Sequence, residues 1–287
     1  MMHRLTVGAW ILVLLSGCST QMMMVRLATP LVQGQYQAVY EEPDPELARQ
    51  AVPANLKMLE GMLYLDPGNE TLLLTLAEGF CNYAVSFVEE PYPQRAAAYY
   101  LRGRDFAARA LTQAGGPPAF YALGLREFEA AAKGLEPAQL PALYWMTRCW
   151  GGWVFLNQDK MEALVALSKM ELAMTRVLQW QETFDHAGPH LFFGVFYASR
   201  PRILGGDPEK GRLHFERNLE LTGEKFLMSQ VLYAKLYAVQ TQDRDLFDRL
   251  LHQVLDTPAD APARWRLVNA VAKVKARALL ETADDYF

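Results

Sequence analysis

Apolar residues recur at steps of three and four along most of this chain, and this helical spacing constrains its fold more than any other feature. Proline and glycine separate the helical segments at short intervals, as over residues 66–69 and 115–118. The pattern predicts an all-α fold of about eleven helices joined by short turns. The clearest apolar stripe comprises Leu72, Leu73, Leu76, Phe80, Tyr83, Ala84 and Phe87.

The short turns also predict how the helices are arranged. Consecutive helices joined in this way run antiparallel, as hairpins. Paired helices of this length are typical of tetratricopeptide (TPR) arrays, although the Trp-x₂-Leu-Gly-x₂-Tyr consensus of that repeat is nowhere intact. We therefore expect a TPR-like stack of antiparallel helical hairpins with one continuous core, forming a single domain over residues 44–287.

The N-terminus has the pattern of a bacterial lipoprotein signal. A basic start precedes an uncharged run over residues 5–15, which is too short to span a membrane. A small Ser-Gly pair then precedes Cys18, whose thiol would carry the lipid after cleavage. A plain secretory signal with a chance cysteine is the alternative. We expect residues 1–17 to be the signal peptide and residues 18–43 a lipid-anchored tether.

The lipid on Cys18 would hold the chain at a membrane outside the cytoplasm, because several acyl chains anchor a protein stably. Ser19 follows Cys18, whereas Asp at that place would resemble the signal for retention in the inner membrane. This favours the periplasmic face of the outer membrane in a cell with two membranes.

The charge balance argues against nucleic-acid binding. The chain has 28 Lys and Arg against 32 Asp and Glu, a net charge of −4, whereas nucleic acid requires a basic surface. Three cysteines cannot form a disulfide framework. Cys81 and Cys149 are compatible with a pair in an oxidising compartment or with two buried thiols, and the sequence leaves both open.

Aromatic residues are concentrated around a Gly-Gly pair at residues 151–152. One interpretation is an aromatic-lined pocket or pore, and the other is a packed core, where aromatic rings at helical spacing usually lie. Arg102 and Arg104 would hold an anionic ligand or pair with the acidic surface. The candidate ligand-binding residues are Tyr83, Tyr99, Arg102, Arg104, Tyr144, Trp145, Trp150 and Trp153.

No set of residues predicts catalysis. His186 and His190 are four residues apart, but Gly188 and Pro189 lie between them and interrupt the helical face that a metal pair needs. No cysteine lies in a nucleophile motif. We therefore expect no enzyme activity, no metal site and no cofactor.

Several segments of the chain together resemble a known family. They are residues 76–84, 100–104, 143–145, 150–153, 193–201, 204–208, 214–215, 267–273, 279–280 and 284–287. In this order they are similar to the T component of TRAP transporters, the TatT family of periplasmic lipoproteins. The resemblance implies a TPR-like helical body that assembles as a homotrimer, with an internal passage in each subunit.

The resemblance also implies a function and its partners. They are the solute-receptor subunit of a TRAP uptake system and a small organic-acid or hydrophobic ligand. The family supplies no catalytic residue to carry over. An alternative hypothesis, from the helical stack alone, is a TPR-like scaffold that holds a protein segment for envelope assembly.

Overall fold

A computed structural model describes the backbone of residues 2–258 and 262–287, and the side chains of residues 20–258 and 262–287. These residues contain helices and no β-strand, which confirms the all-α fold. The predicted lipid site at Cys18 and the side chains of the signal peptide over residues 1–17 lie outside the described residues. The helices are α1 Met2–Tyr40, α2 Pro45–Leu65, α3 Glu70–Tyr83, α4 Pro93–Gln113, α5 Leu125–Lys133, α6 Leu140–Phe155, α7 Met161–Trp180, α8 Phe184–Ala198, α9 Pro208–Thr222, α10 Met228–Leu232, α11 Val239–Thr241, α12 Arg244–Asp256 and α13 Arg266–Glu281.

Side-chain caps explain where several of these helices begin. The carboxylate of Asp207 accepts a hydrogen bond from the backbone N–H of Lys210 at 3.2 Å, and Pro208 is the first residue of α9. Gly223 ends the same helix in the left-handed conformation, with φ at 59°. Asp followed by Pro at the start of a helix and Gly after its end are both local sequence signals of helix boundaries. Asn69 and Asp243 cap α3 and α12 in the same way.

Helices adjacent in the chain pack on each other, as stacked hairpins require. α2 packs on α3, α3 on α4, α8 on α9, and α12 on α13. Gly103 of α4 lies between Ala77 of α3 and Cys149 of α6, and a Cβ at Gly103 would be 2.7 Å from the Cys149 Sγ. This arrangement is consistent with helical hairpins, while the TPR-like repeat itself stays a prediction.

The buried apolar side chains form two clusters, not the one continuous core that the sequence predicted. The first cluster is built mainly from α2 to α8 and the second mainly from α9 to α13. Phe87 packs against both clusters, and α8 contributes Phe196 to the first and Ala198 to the second.

The segment predicted as a tether is partly built into the fold. Residues 20–40 belong to α1, and Val25 and Val32 are buried in the first cluster. Tyr36 donates a hydrogen bond to the carbonyl oxygen of Thr75 at 3.0 Å. The sequence shows little helical periodicity here because few α1 side chains are buried. The domain boundaries at residues 17 and 43 stay a prediction.

One helix within the described residues is long and apolar enough to cross a membrane by composition. Glu70–Val88 has a mean hydropathy of 1.4, but half of that stretch is buried inside the protein. Burial explains the composition, because a helix enclosed on most sides by other helices is apolar all round.

A disulfide joins α3 to α6. Cys81 and Cys149 are bonded, with their Cα atoms 5.5 Å apart and 68 residues between them in sequence. The structure thus selects one of the two alternatives that the sequence left open. Both residues are completely buried in the first cluster.

Reduction of this disulfide should lower the free energy of unfolding by about 2–4 kcal/mol, because the bond restricts the unfolded chain. Urea unfolding with and without a reductant measures the change. The double variant Cys81→Ser, Cys149→Ser should match the reduced protein and no longer respond to reductant. Equal stability of the oxidised and reduced protein would contradict the expectation.

Candidate functional site

A mainly apolar cavity of about 150 Å³ lies where the two buried clusters meet. Its walls come from α4, α6, α7 and α8, and from the chain around two π-helical segments, Ala84–Val88 and Tyr233–Ala238. A π-helical turn adds a residue and displaces the side chains around it, and such turns are frequent at functional sites. Glu89, Tyr100, Arg148, Gln158, Ser199, Arg200 and Lys235 are the polar residues that line the cavity.

Two glycines of α6 allow its neighbours to come close at the cavity wall. A Cβ at Gly152 would lie 2.5 Å from the ring of Tyr100 on α4. A Cβ at Gly151 would lie 2.9 Å from the ring of Phe192 on α8. The two rings therefore occupy space that any other residue in α6 would fill. The Gly-Gly pair singled out in the sequence is part of this cavity.

Glu89 and Tyr100 form a hydrogen-bonded pair in the cavity wall. The Tyr100 hydroxyl donates to the Glu89 carboxylate. Burial raises the pKa of Tyr100 well above its usual value, and the negative charge of Glu89 raises it further. Burial also raises the pKa of Glu89, although the hydrogen bond from Tyr100 opposes that shift. The pair thus presents an acceptor whose hydrogen-bonding capacity is already partly used.

Arg148 lines the cavity and has no hydrogen-bond or ion-pair partner among the residues that the structure describes. Its guanidinium lies 5.3 Å from the ring centre of Trp145. Burial lowers the pKa of Arg148, but Tyr144, Asp185 and other nearby groups outweigh that effect and raise it. Arg148 is therefore a half-buried cation that faces the cavity.

Two carboxylates act on Arg148 through their charge, and each accepts a hydrogen bond from a tyrosine hydroxyl. Asp185 accepts a hydrogen bond from the Tyr144 hydroxyl at 2.5 Å. Glu78 accepts one from the Tyr40 hydroxyl of α1. Burial, together with the charge of Asp185, raises the pKa of Glu78 to about 7. Near neutral pH Glu78 thus carries only part of a negative charge.

Two further cations line the cavity, and both have partners. Arg200 donates to the carbonyl oxygen of Phe196 at 2.9 Å, and its guanidinium lies 3.8 Å from the centre of that ring. Burial lowers the pKa of Arg200. Lys235 forms an ion pair with Glu90 at 3.2 Å. The cavity therefore combines an apolar wall with an excess of positive charge.

A left-handed turn begins α8 next to the cavity. Asp185, His186 and Ala187 have φ angles of 45°, 61° and 55°. Each such residue costs of order 1–3 kcal/mol, so the surrounding contacts must hold the turn in place. Asn218 does so by donating to the carbonyl oxygens of His186 and Ala187, at 3.0 and 2.9 Å. The turn leads directly into Gly188, which lines the cavity.

None of the eight predicted binding residues lines this cavity. Tyr144, Trp145 and Trp150 are buried on other faces of α6, and Trp153 packs against the first cluster. The packing agrees with the second interpretation of these aromatics, as core residues. The predicted helix does line the cavity, but through a different set of its side chains.

The four predicted residues on α3 and α4 also have partners elsewhere. Tyr83 donates to the carbonyl oxygen of Arg49 at 3.1 Å. Arg102 pairs with Glu60. The remaining two form local contacts: Tyr99 accepts from Arg95 at 2.9 Å, and Arg104 pairs with Asp105 at 2.7 Å. The arginines have the second of the two fates that the sequence left open, although a ligand role for any of the eight stays a prediction.

Sequence reasoning missed Arg148 and chose Tyr99 in place of Tyr100. Arg148 carries a detectable signal, because it is the one charged residue in α6, Leu140–Phe155. A lone charge on an otherwise uncharged core helix usually has a specific role. Nothing in the sequence distinguishes Tyr99 from Tyr100, since either could face inward.

The histidines form contacts of another kind. The Nδ1 atoms of His190 and His214 lie 3.0 Å apart, and His190 Nε2 lies 3.1 Å from Glu182. Burial, with the neighbouring His190, lowers the pKa of His214 to about 4. Within the described ranges, no group of three or more His, Cys, Asp or Glu side chains is placed to hold a metal ion.

Comparison with known proteins gives one finding on the family. The family model described as TRAP transporter T-component matches residues 41–287, which is most of the chain. The match confirms the resemblance found in the sequence. No curated protein matches the chain.

Replacement of Glu78 by Gln should change how stability depends on pH. The folded pKa of about 7 lies above the ordinary value of 4.5, so the stability due to Glu78 is fully present below pH 4.5 and lost as pH rises through 7. Between pH 4.5 and 8, the free energy of unfolding of the wild type should fall by up to about 3 kcal/mol relative to that of Glu78→Gln. Urea unfolding between pH 4.5 and 8 measures it.

The control for this measurement is Glu129→Gln, on the exposed face of α5. Its pH profile should run parallel to that of the wild type. A parallel profile for Glu78→Gln as well would rule out the raised pKa.

Proposed function

This chain belongs to the TRAP transporter T-component family, and from that premise we propose that it holds a small, mainly apolar ligand in the cavity between its two buried clusters. In this role it serves as the accessory component that docks the solute-receptor subunit of its transport system. The proposal assigns no chemical step to the chain. The cavity is the observation that carries it.

The lining of the cavity supports capture by apolar contact. Phe192, Val195 and Phe196 of α8 face Val154 and Phe155 of α6 across it. Each CH₂ group that a ligand buries there contributes about 0.8 kcal/mol. A few polar groups around a largely apolar wall are typical of sites for small molecules.

The position of the cavity supports a binding role over a purely structural one. It lies between two separately packed clusters and is bordered by both π-helical segments of the described chain. Tight packing would stabilise this junction more than open space does, because empty volume in a core costs free energy. A ligand that occupies the cavity would recover that energy.

We also propose that the chain is anchored by lipid on Cys18 at the periplasmic face, in the outer membrane. The lipoprotein pattern over residues 1–18 and the Cys81–Cys149 disulfide support this placement, since disulfides persist in oxidising compartments. Assembly as a homotrimer is part of the proposal and rests on the family alone.

A bulky side chain in the cavity should block ligand binding. Val195→Trp fills part of the space, so the affinity for octanamide should fall at least tenfold, which corresponds to about 1.4 kcal/mol. Isothermal titration calorimetry measures the affinity. Val165→Trp is the matched control, because Val165 is exposed on α7 and does not line the cavity. Unchanged binding in Val195→Trp would contradict the proposed site.

Docking should be detectable as a stable or transient complex with the cognate solute receptor. We expect the solute receptor of the same TRAP system to co-purify with this chain, whereas a receptor from an unrelated TRAP system should not. Retention of an unrelated envelope protein in its place would favour the scaffold hypothesis. Failure of the cognate receptor to bind at high micromolar concentration would exclude the docking role.

A further inference from the structure

Among the described residues, Arg148 is the cavity cation that forms neither a hydrogen bond nor an ion pair. Arg200 donates to a backbone carbonyl, and Lys235 pairs with Glu90. Arg148 has no such contact within the described part of the chain, although its guanidinium has five N–H donors. Arg148 is half-buried, and even partial removal of an unpaired charge from water costs free energy. A fold that retains such a charge therefore needs a compensating group.

The protein itself compensates this charge only from a distance. Asp185 and Glu78 act on Arg148 through their charges, but neither carboxylate is within ion-pair distance, 4.0 Å, of its guanidinium. Each of the two already accepts a hydrogen bond from a tyrosine hydroxyl. Glu78 is in addition only partly ionised near neutral pH, because its pKa is raised to about 7. The N–H donors of Arg148 are left for a ligand.

The geometry points to Arg148 as the residue that binds the anionic end of the ligand, so that the cavity selects molecules with one carboxylate and an apolar body. This inference rests on the proposed function, since it names the class of ligand for the same cavity. Guanidinium is suited to the task, because its planar N–H groups match the two oxygens of a carboxylate.

The relative direction of α6 and α8 indicates where the apolar part of the ligand would lie. Gly188 lies beside Tyr144, and further along the two helices Phe192 lies beside Gly151, so α6 and α8 run parallel. Arg148 lies between these two levels. The apolar lining continues past Arg148 towards Phe155 and the end of α8. A ligand with its carboxylate at Arg148 would extend its chain along this wall.

The test compares two probes that differ only at the polar end. Octanoate carries a carboxylate, whereas octanamide has the same chain length and no charge. Isothermal titration calorimetry at pH 7.5 should give at least tenfold tighter binding of octanoate to the wild-type protein. Each probe should displace the other, because they share the cavity.

Substitution of Arg148 should remove the preference and leave apolar capture in place. In Arg148→Gln, the affinity for octanoate should fall at least tenfold, while the affinity for octanamide should stay within threefold of the wild-type value. Arg109→Gln is the matched control, because Arg109 is exposed on α4 and does not line the cavity. Both affinities should be unchanged in that variant.

The variants separate the ways in which the inference can fail. Equal affinity of the wild type for the two probes would overturn the role of Arg148, but the cavity would remain a site for apolar ligands. Binding of neither probe would overturn the proposed function itself. A preference for octanoate that persists in Arg148→Gln would also overturn the role of Arg148. If circular dichroism shows that Arg148→Gln does not fold, Arg148→Lys replaces it, and its preference should be at least threefold below that of the wild type.

Discussion

The close approach of α6 to α4 and α8 is the constraint on which the cavity depends. At Gly151 and Gly152 there is no side chain, and the rings of Phe192 and Tyr100 lie directly on the α6 backbone. A larger residue at either position would push these rings into the space that the cavity occupies. The disulfide from Cys81 to Cys149 holds α3 against α6 just before this contact. The wall of the cavity is thus cross-linked to α3 on one side and borders a separately packed cluster on the other.

Electrostatics distinguishes this cavity from an ordinary packing defect. Engineered cavities in protein cores are apolar and stay dry. Here the wall carries Arg148, which forms no hydrogen bond or ion pair with the described residues, and the carboxylates of Glu78 and Asp185 accept hydrogen bonds from tyrosines. Tyr40 belongs to α1, so the segment nearest the predicted lipid anchor contacts the same polar network. The position of α1 and the ionisation of Glu78 are thereby linked.

Local patterns predicted the helices well because capping and periodicity act over a few residues. The start of α9 at Asp207 and Pro208, and its end at Gly223, follow from interactions within one turn. The prediction for residues 20–43 differed from the structure since α1 contacts the rest of the fold through scattered side chains such as Val25 and Val32. Such contacts leave no periodic stripe. The prediction of a single continuous core was wrong for a similar reason, because a break between two buried clusters leaves no pattern within one helix.

By itself, the sequence determined the all-α class, the turns between the helices and the membership of the family, because these depend on residue order and composition. Only the tertiary structure decided that Cys81 bonds to Cys149, that Tyr100 and not Tyr99 faces the cavity, and that Arg148 forms no ion pair within the described part of the chain. Each of these depends on which helix lies opposite a given face. That choice is made by packing between segments far apart in the chain, and a helix presents several nearly equivalent faces until its neighbours are in place.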